Sequence, residues 1–288
     1  MQINKYIYSF SYENPQSELC KLESRYFFNK EEKNKQLFSN IKVAPSNSPF
    51  IKSRFDIISF SEDYDTLIKD IKKESICIDG FKVEYLVLNG DITEYKERLN
   101  KLKDIGWSIE GIPNYYNPIK TYALCYYEDV WCFGILIKDR FAWHQHKQKP
   151  HSYSNSINIS IAKALVNIAA KANKENKLLD ACCGVGTIML EACFSGNNIE
   201  GCDINEKICK NAKENLSHFN YIANVYNSDI KNISKKYEAA IIDLPYNLFS
   251  NATDNDILHI IESTAEITDR IVIVSTSDIT NLIFNAGL

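Results

Sequence analysis

The sequence predicts an α/β protein whose second half is a parallel sheet with packed helices, preceded by an α+β region. Three observations predict it. After Pro150, short apolar runs alternate with segments of helical periodicity; four of those runs end in aspartate; and the region before residue 140 mixes strands and helices without that regular alternation.

Residues 5–10 read as a strand. Asn14-Pro15 then offers an N-cap with proline in the first helical turn, and Leu19, Leu22 and Tyr26 follow at helical spacing. Residues 45–49, with a proline at each end, form a turn-rich break; 55–60 is a second strand and 64–73 a short charged helix. Phe81, Val83, Tyr85 and Val87 alternate as in a half-buried strand, and 92–105 has helical periodicity. Residues 122–127 and 130–137 are two more strands, paired across Glu128-Asp129. Beyond the break, Ile161, Ala164, Leu165 and Ile168 mark a helix, and strands are expected at 178–180, 199–203, 225–229, 238–243 and 270–275. Helices fill the gaps, the last clear one over 257–267 with Ile257, Ile260, Ile261 and Thr264 on one stripe.

Composition is that of a folded soluble chain: 45% hydrophobic, 24% charged, with 10 Gly and 7 Pro in 288 residues. A start without a basic segment and apolar core, and no apolar run of membrane-spanning length, lead us to expect a cytoplasmic protein. Nine cysteines, an odd number without a C-x-x-C pair and mostly among apolar residues, read as reduced thiols. Neither the adjacent Cys182 and Cys183 nor His144-x-His146 suits a tetrahedral metal site, so no metal is expected. The histidines read as ordinary connector residues. The formal net charge of -4 argues against indiscriminate nucleic-acid binding but allows a local basic patch. The best one lies between Lys138 and Lys149, where Arg140 and Lys147 interleave with Phe141 and Trp143.

The chemistry gathers in the second half. Its first strand leads into Asp180-Ala-Cys-Cys-Gly184-Val-Gly186-Thr187, and glycines between a strand and a helix let backbone approach a ligand closely. Asp203 ends the next strand, where an open α/β sheet puts the acid that takes the hydroxyls of an adenosine ribose. Asp229 and Asp243 end the third and fourth, so the acids fall along one rim, outside the carboxyl ends of the strands. A nicotinamide dinucleotide fits less well, because Met189 stands where the third glycine of its fingerprint belongs. Carboxylates at every strand end repel phosphate and suit a phosphate-free adenosine ligand such as S-adenosylmethionine.

Asp243-Leu244-Pro245-Tyr246 carries a second chemistry. The exocyclic amino group of a base is a poor nucleophile because its lone pair is delocalised into the ring. Acceptors that hold its N–H groups restore nucleophilicity: Asp243 supplies a carboxylate, Leu244 a carbonyl whose direction Pro245 restricts, and Tyr246 a face for the base to stack on.

These segments resemble the successive motifs of S-adenosylmethionine-dependent methyltransferases that modify amino groups of bases. More narrowly, Lys149-Pro-His-Ser-Tyr-Ser-Asn-Ser-Ile157 with Ala164-Leu-Val-Asn-Ile168 is similar to the lead-in to the catalytic domain of the THUMP-containing tRNA guanine-N2 methyltransferases. The resemblance implies a Rossmann-like class I methyltransferase domain over 149–288, preceded by a ferredoxin-like α+β region (1–75) and a THUMP-like RNA-binding region with its basic connector (76–148). It implies cofactor contacts at Asp180, Cys182, Gly184, Gly186, Thr187, Asp203, Ile204, Asp229 and Ile230, and a target-base site at Asp243, Leu244, Pro245 and Tyr246. Ser154 and Ser156 stand where the cofactor's amino-acid end would pass. The expected reaction is methyl transfer to the 2-amino group of a guanine in tRNA. The alternatives are the 6-amino group of adenine in DNA or RNA, and a tRNA-binding relative impaired in catalysis.

Two departures bear on this. The family usually has proline where this chain has Leu244, and its catalytic domain continues into an antiparallel hairpin that this sequence does not include. An edge left uncovered there is a surface on which a homo-oligomer could form.

Overall fold

The computed structural model describes residues 5–153, 156–171, 173–244 and 253–288. In chain order the elements are β1 (Tyr6–Phe10), α1 (Ser17–Phe28), β2 (Gln36–Ser39), β3 (Ile51–Ser61), α2 (Tyr64–Lys73), β4 (Phe81–Tyr85), α3 (Tyr95–Trp107), β5 (Lys120–Tyr127) and β6 (Val130–Lys138). They continue as α4 (Ile159–Ala170), β7 (Lys177–Asp180), α5 (Thr187–Phe194), β8 (Asn198–Asp203), α6 (Glu206–His218), β9 (Val225–Asn227), β10 (Ala239–Asp243), α7 (Asp254–Ile267), β11 (Ile271–Val274) and α8 (Thr280–Asn285). The chain divides into two compact units: residues 1–17, 31–45 and 50–140 form the first, and 18–30, 46–49 and 141–288 the second.

In the first unit the described strands form a six-stranded sheet in the order β2-β1-β3-β6-β5-β4. Its pairs are antiparallel except β4 with β5. The sheet crosses the boundary expected at 75/76, since β3 pairs with β6 along most of its length. Glu128 and Asp129 both adopt positive φ (49° and 62°), the twist that joins β5 to β6 in a tight hairpin. Asp63 caps α2 by accepting from the Thr66 N–H, and Leu67 and Ile71 then bury against Phe81, Leu124 and Phe133.

Two details of this region depart from expectation. β2 was not anticipated, because four residues with two adjacent apolar positions, Leu37 and Phe38, carry too little period to read. The buried face of α1 is Cys20, Glu23, Ser24 and Phe27, one residue on from the anticipated Leu19, Leu22 and Tyr26, because buried polar partners hold it there.

In the second unit the described strands form a parallel sheet in the order β11-β10-β7-β8-β9. Alternation at period two divides each apolar run between two cores. Leu178, Ala239 and Ile241 pack with α4, α5 and α6, while Leu179, Ala240 and Ile242 pack with α7 and α8. The chain order runs outward from β7 through β8 to β9, then returns to β10 on the other side. The strand order therefore reverses between β7 and β10, which is where an open sheet of this kind leaves a crevice for a ligand.

α1 joins this unit through a buried polar cluster. Ser48 Oγ donates to Glu23 Oε2 at 2.5 Å and Asn167 Nδ2 donates to Glu23 Oε1 at 2.6 Å. Burial pushes the Glu23 carboxyl from 4.5 up to about 7, against the opposing pull of Ser48, Asn167 and Lys163. Its contribution to stability is thus fully present below about pH 4.5 and lost as pH rises through 7. The change amounts to roughly 3–4 kcal/mol. Glu23→Gln keeps both hydrogen-bonding positions without the charge, so its thermal stability should overtake that of the parent increasingly between pH 5 and 8. Melting curves over that range check this, and parallel pH profiles for the two proteins would contradict it.

His146 is not the ordinary connector residue expected. It is fully buried, its Nδ1 2.6 Å from Glu191 Oε1 and its Nε2 3.1 Å from the Tyr221 hydroxyl. Lys163 Nζ lies 3.4 Å from the other Glu191 oxygen. The basic stretch is correspondingly thinner than its sequence: Lys138 pairs with Glu84 at 2.5 Å and Lys149 is half-buried, leaving Arg140 and Lys147 exposed. Cys77, between Ile76 and Ile78 in the sequence, is nonetheless exposed.

Candidate active site

The ladders of the central strand continue past its end. The Ala181 N–H donates to the Ile241 carbonyl at 3.0 Å and the Cys183 N–H to the Cys202 carbonyl at 2.9 Å, so the loop after Asp180 is held at the crevice from both sides. Gly184 and Gly186 both take positive φ (52° and 81°), which other residues adopt only with strain. Gly186 opens α5 and packs against Ala212, whereas a Cβ on Gly184 would meet nothing within 4 Å. Gly184 therefore leaves open space over the loop. Met189, where a dinucleotide site would have its third glycine, instead fills the space beside Gly201: a Cβ there would lie 2.5 Å from the Met189 sulfur. Gly201 thus lets α5 settle on β8, a packing role its sequence context did not signal.

The strand-end acids differ in their surroundings. Asp203 Oδ2 accepts from the Gly184 N–H at 3.1 Å and Oδ1 from the Asn205 N–H at 2.9 Å, tying β8 to the glycine loop. Asp229 lies two residues beyond β9, which is shorter than anticipated, and accepts from the Lys231 N–H at 3.0 Å. Burial raises the Asp229 carboxyl, but the Lys231 N–H and charge and His259 outweigh it and hold the group below its usual value. His259 Nε2 is 3.6 Å from Asp229 Oδ1. Asp180 is fully buried, and neither carboxylate oxygen has a hydrogen-bond partner among the described residues. Burial, then the charges of Asp243 and Asp203, push that carboxyl well above its usual value.

A cavity of about 750 Å³ opens at these strand ends. Of the sequence-predicted residues, Cys182, Gly184, Thr187, Asp203 and Ile204 line it on one side; Asp229, Ile230, Asp243 and Leu244 line it on the other strands' ends. Asp180 and Gly186 stand outside the lining, and Ser156 belongs to it. Pro245, Tyr246 and Ser154 lie outside the described residues. Sequence reasoning missed Asp256 and His259, which also line the cavity. Their signal was faint: at the start of α7 they read as a solvated, capped helix end, and Thr253 and Asp256 do form a capping box there.

Electrostatically the cavity is acidic. Asp203, Asp229, Asp243 and Asp256 line it, with His259 but no lysine or arginine among the described lining residues. The neighbouring thiols are not nucleophiles, since burial raises Cys182 and Cys183 and brings Cys202 to about 12. The arrangement suits a ligand with hydroxyls to donate and positive rather than negative charge to place.

Residues 147–259 match the family described as "RMKL-like, methyltransferase domain". The second unit carries a methyltransferase domain. A tRNA (guanine(10)-N2)-dimethyltransferase of Methanothermobacter thermautotrophicus is 27% identical over 118 residues, 40% of this chain and 35% of that protein. The enzyme of the same description from Methanocaldococcus jannaschii is 25% identical over 210 residues, 65% of this chain and 59% of that protein. The chain thus spans between a third and three fifths of these curated relatives. Among solved structures, TrmN from Thermus thermophilus aligns over 98% of this chain and 91% of its own, at 10% identity and a TM-score of 0.46.

The cofactor of the methyltransferase domain is S-adenosylmethionine. The residues fit it: the cavity has the space, its acids can accept from ribose hydroxyls, and no cation is set to bind phosphate among the described lining groups. No helix among the described residues is long and apolar enough to cross a membrane.

Proposed function

We propose that the chain transfers a methyl group from S-adenosylmethionine to the exocyclic 2-amino group of a guanine in tRNA. The observation that carries this reading is the shared cavity: Asp243 and Leu244 at the end of β10 face the same space as Asp203 and Asp229. A base-methylating site needs its amino-group acceptors beside its adenosine-binding acids. The relatives named as tRNA guanine-N2 enzymes supply the choice of base and nucleic acid.

On this reading Asp203 accepts from the ribose hydroxyls, Asp229 and Ile230 hold the adenine edge and face, and Ile204, exposed on the rim, covers the sugar side. Cys182, Gly184, Gly186 and Thr187 form the loop that lets the cofactor approach backbone. When bound, the cofactor supplies an electrophilic methyl on a sulfonium. Asp243 and the Leu244 carbonyl accept from the amino N–H groups, drawing the nitrogen toward tetrahedral geometry. Pro245 restricts the Leu244 carbonyl, and Tyr246 offers a stacking face. As the nitrogen gains the methyl it loses a proton, which Asp243 can accept. Positioning does the remaining work.

The first unit, which holds most of the expected regions 1–75 and 76–148, is assigned the tRNA-facing role. Nine free cysteines suit a cytoplasmic setting. Filter-bound counts after incubation with labelled cofactor should show transfer to unmodified tRNA and not to duplex DNA. Transfer to DNA would replace the proposed substrate, and tRNA binding without transfer would point to a non-catalytic relative.

A further inference from the structure

A fully buried carboxylate with two unpartnered oxygens is costly unless it is protonated or meets a positive charge. Among the described residues Asp180 is in this position, immediately before Ala181 and Cys182, which line the cavity. The charged groups that bear on it come from the strands on either side, Asp203 on β8 and Asp243 on β10, and both oppose its ionisation. The basic groups Lys231 and His259 stand against Asp229. The thiols of Cys182, Cys183 and Cys202 are neutral. Burial without a partner and two like charges thus favour the protonated form of Asp180, behind a cavity lined by four further aspartates.

The cofactor and the product it becomes share the adenosine and amino-acid portions and differ by one methyl and one positive charge at sulfur. We propose, resting on the reading above, that Asp180 makes this site select the cationic cofactor over its neutral thioether product. With the sulfonium charge in the cavity, the Asp180 O–H bond breaks, its electron pair stays on oxygen and the proton leaves to solvent. Once the charge has gone, the carboxylate takes a proton back from solvent. A positive charge brought into the cavity favours the ionised form of the carboxyl behind it, so the exchange follows the charge of the ligand. Asp180 is a positioning residue here and makes no bond to the reacting atoms. The consequence is weaker product inhibition than a neutral pocket of the same shape would give.

Calorimetric titration in two buffers of different ionisation heat counts the protons exchanged. S-adenosylmethionine should release about 0.5 to 1 proton more than S-adenosylhomocysteine at pH 7, and its relative affinity should rise up to about tenfold per pH unit. In Asp180→Asn the difference in protons should vanish while S-adenosylhomocysteine still binds, with melting curves confirming the fold. Equal proton counts for the two ligands overturn the inference on the unaltered protein alone. A difference that survives in Asp180→Asn also overturns it, since Asp203 or Asp243 would then carry the proton. If neither ligand binds to the folded protein, the assignment of the cavity itself fails, and this inference with it.

Discussion

Asp243→Ala is expected to lower the rate of methyl transfer at least about a thousandfold while changing cofactor affinity by less than about tenfold. Removing one preorganised acceptor from a developing charge costs about a hundred- to a thousandfold in rate. Here the same carboxylate is also the proton acceptor, so the upper end applies. Asp243 ends β10, paired in register with Val274 on β11, and the Leu244 N–H donates to the Val274 carbonyl at 3.2 Å. That backbone does not depend on the side chain, so the Leu244 carbonyl should keep its place. Single-turnover transfer to tRNA, beside calorimetric binding of the cofactor, separates the two quantities. A large loss of cofactor affinity with the transfer step intact would show that Asp243 belongs to the cofactor's contacts.

The opposite split is expected for Asp203→Ala. Its carboxylate oxygens accept from the Gly184 and Asn205 N–H groups, so it orders the glycine loop and the start of α6 as well as presenting an acceptor to the ribose. Hydrogen bonds to a charged acceptor are each worth about 1.5–3 kcal/mol, and losing two gives at least a hundredfold weaker cofactor binding. The rate at saturating cofactor should fall much less. Asp203→Asn, which can still accept through its amide oxygen, should lie between the two. Equal affinity in the alanine variant would remove Asp203 from the site.

The parallel half was legible because its apolar runs are short, four of the five are read as ending at an acid, and helical segments follow them. Leu178-Leu179 and Ala239 to Ile242 bury on both faces of the sheet, and such strands read as continuous apolar runs. The acids follow where burial ends, so Asp203 and Asp243 could be placed on one rim before any coordinates. Asp229 was placed on the right loop but at the end of a strand that stops two residues earlier. Other features depend on contacts that no local pattern announces. Glu23 faces inward because Ser48 and Asn167 are there to meet it, and His146 because Glu191 is. His259 reaches the cavity from α7, where a lone histidine on a helix flank looks like any surface residue. Long-range pairing within the chain also joins what is divided at 75/76: β3 lies beside β6, and sequence distance gives no hint of it.

The central claim, that the atom methylated is the guanine 2-amino nitrogen, is tested most directly by nucleoside mass spectrometry. Unmodified tRNA is incubated with the protein and isotope-labelled S-adenosylmethionine, then digested to nucleosides. Label in N2-methylguanosine is the predicted result. Label in methyladenosine, or no label with cofactor binding intact, would contradict it.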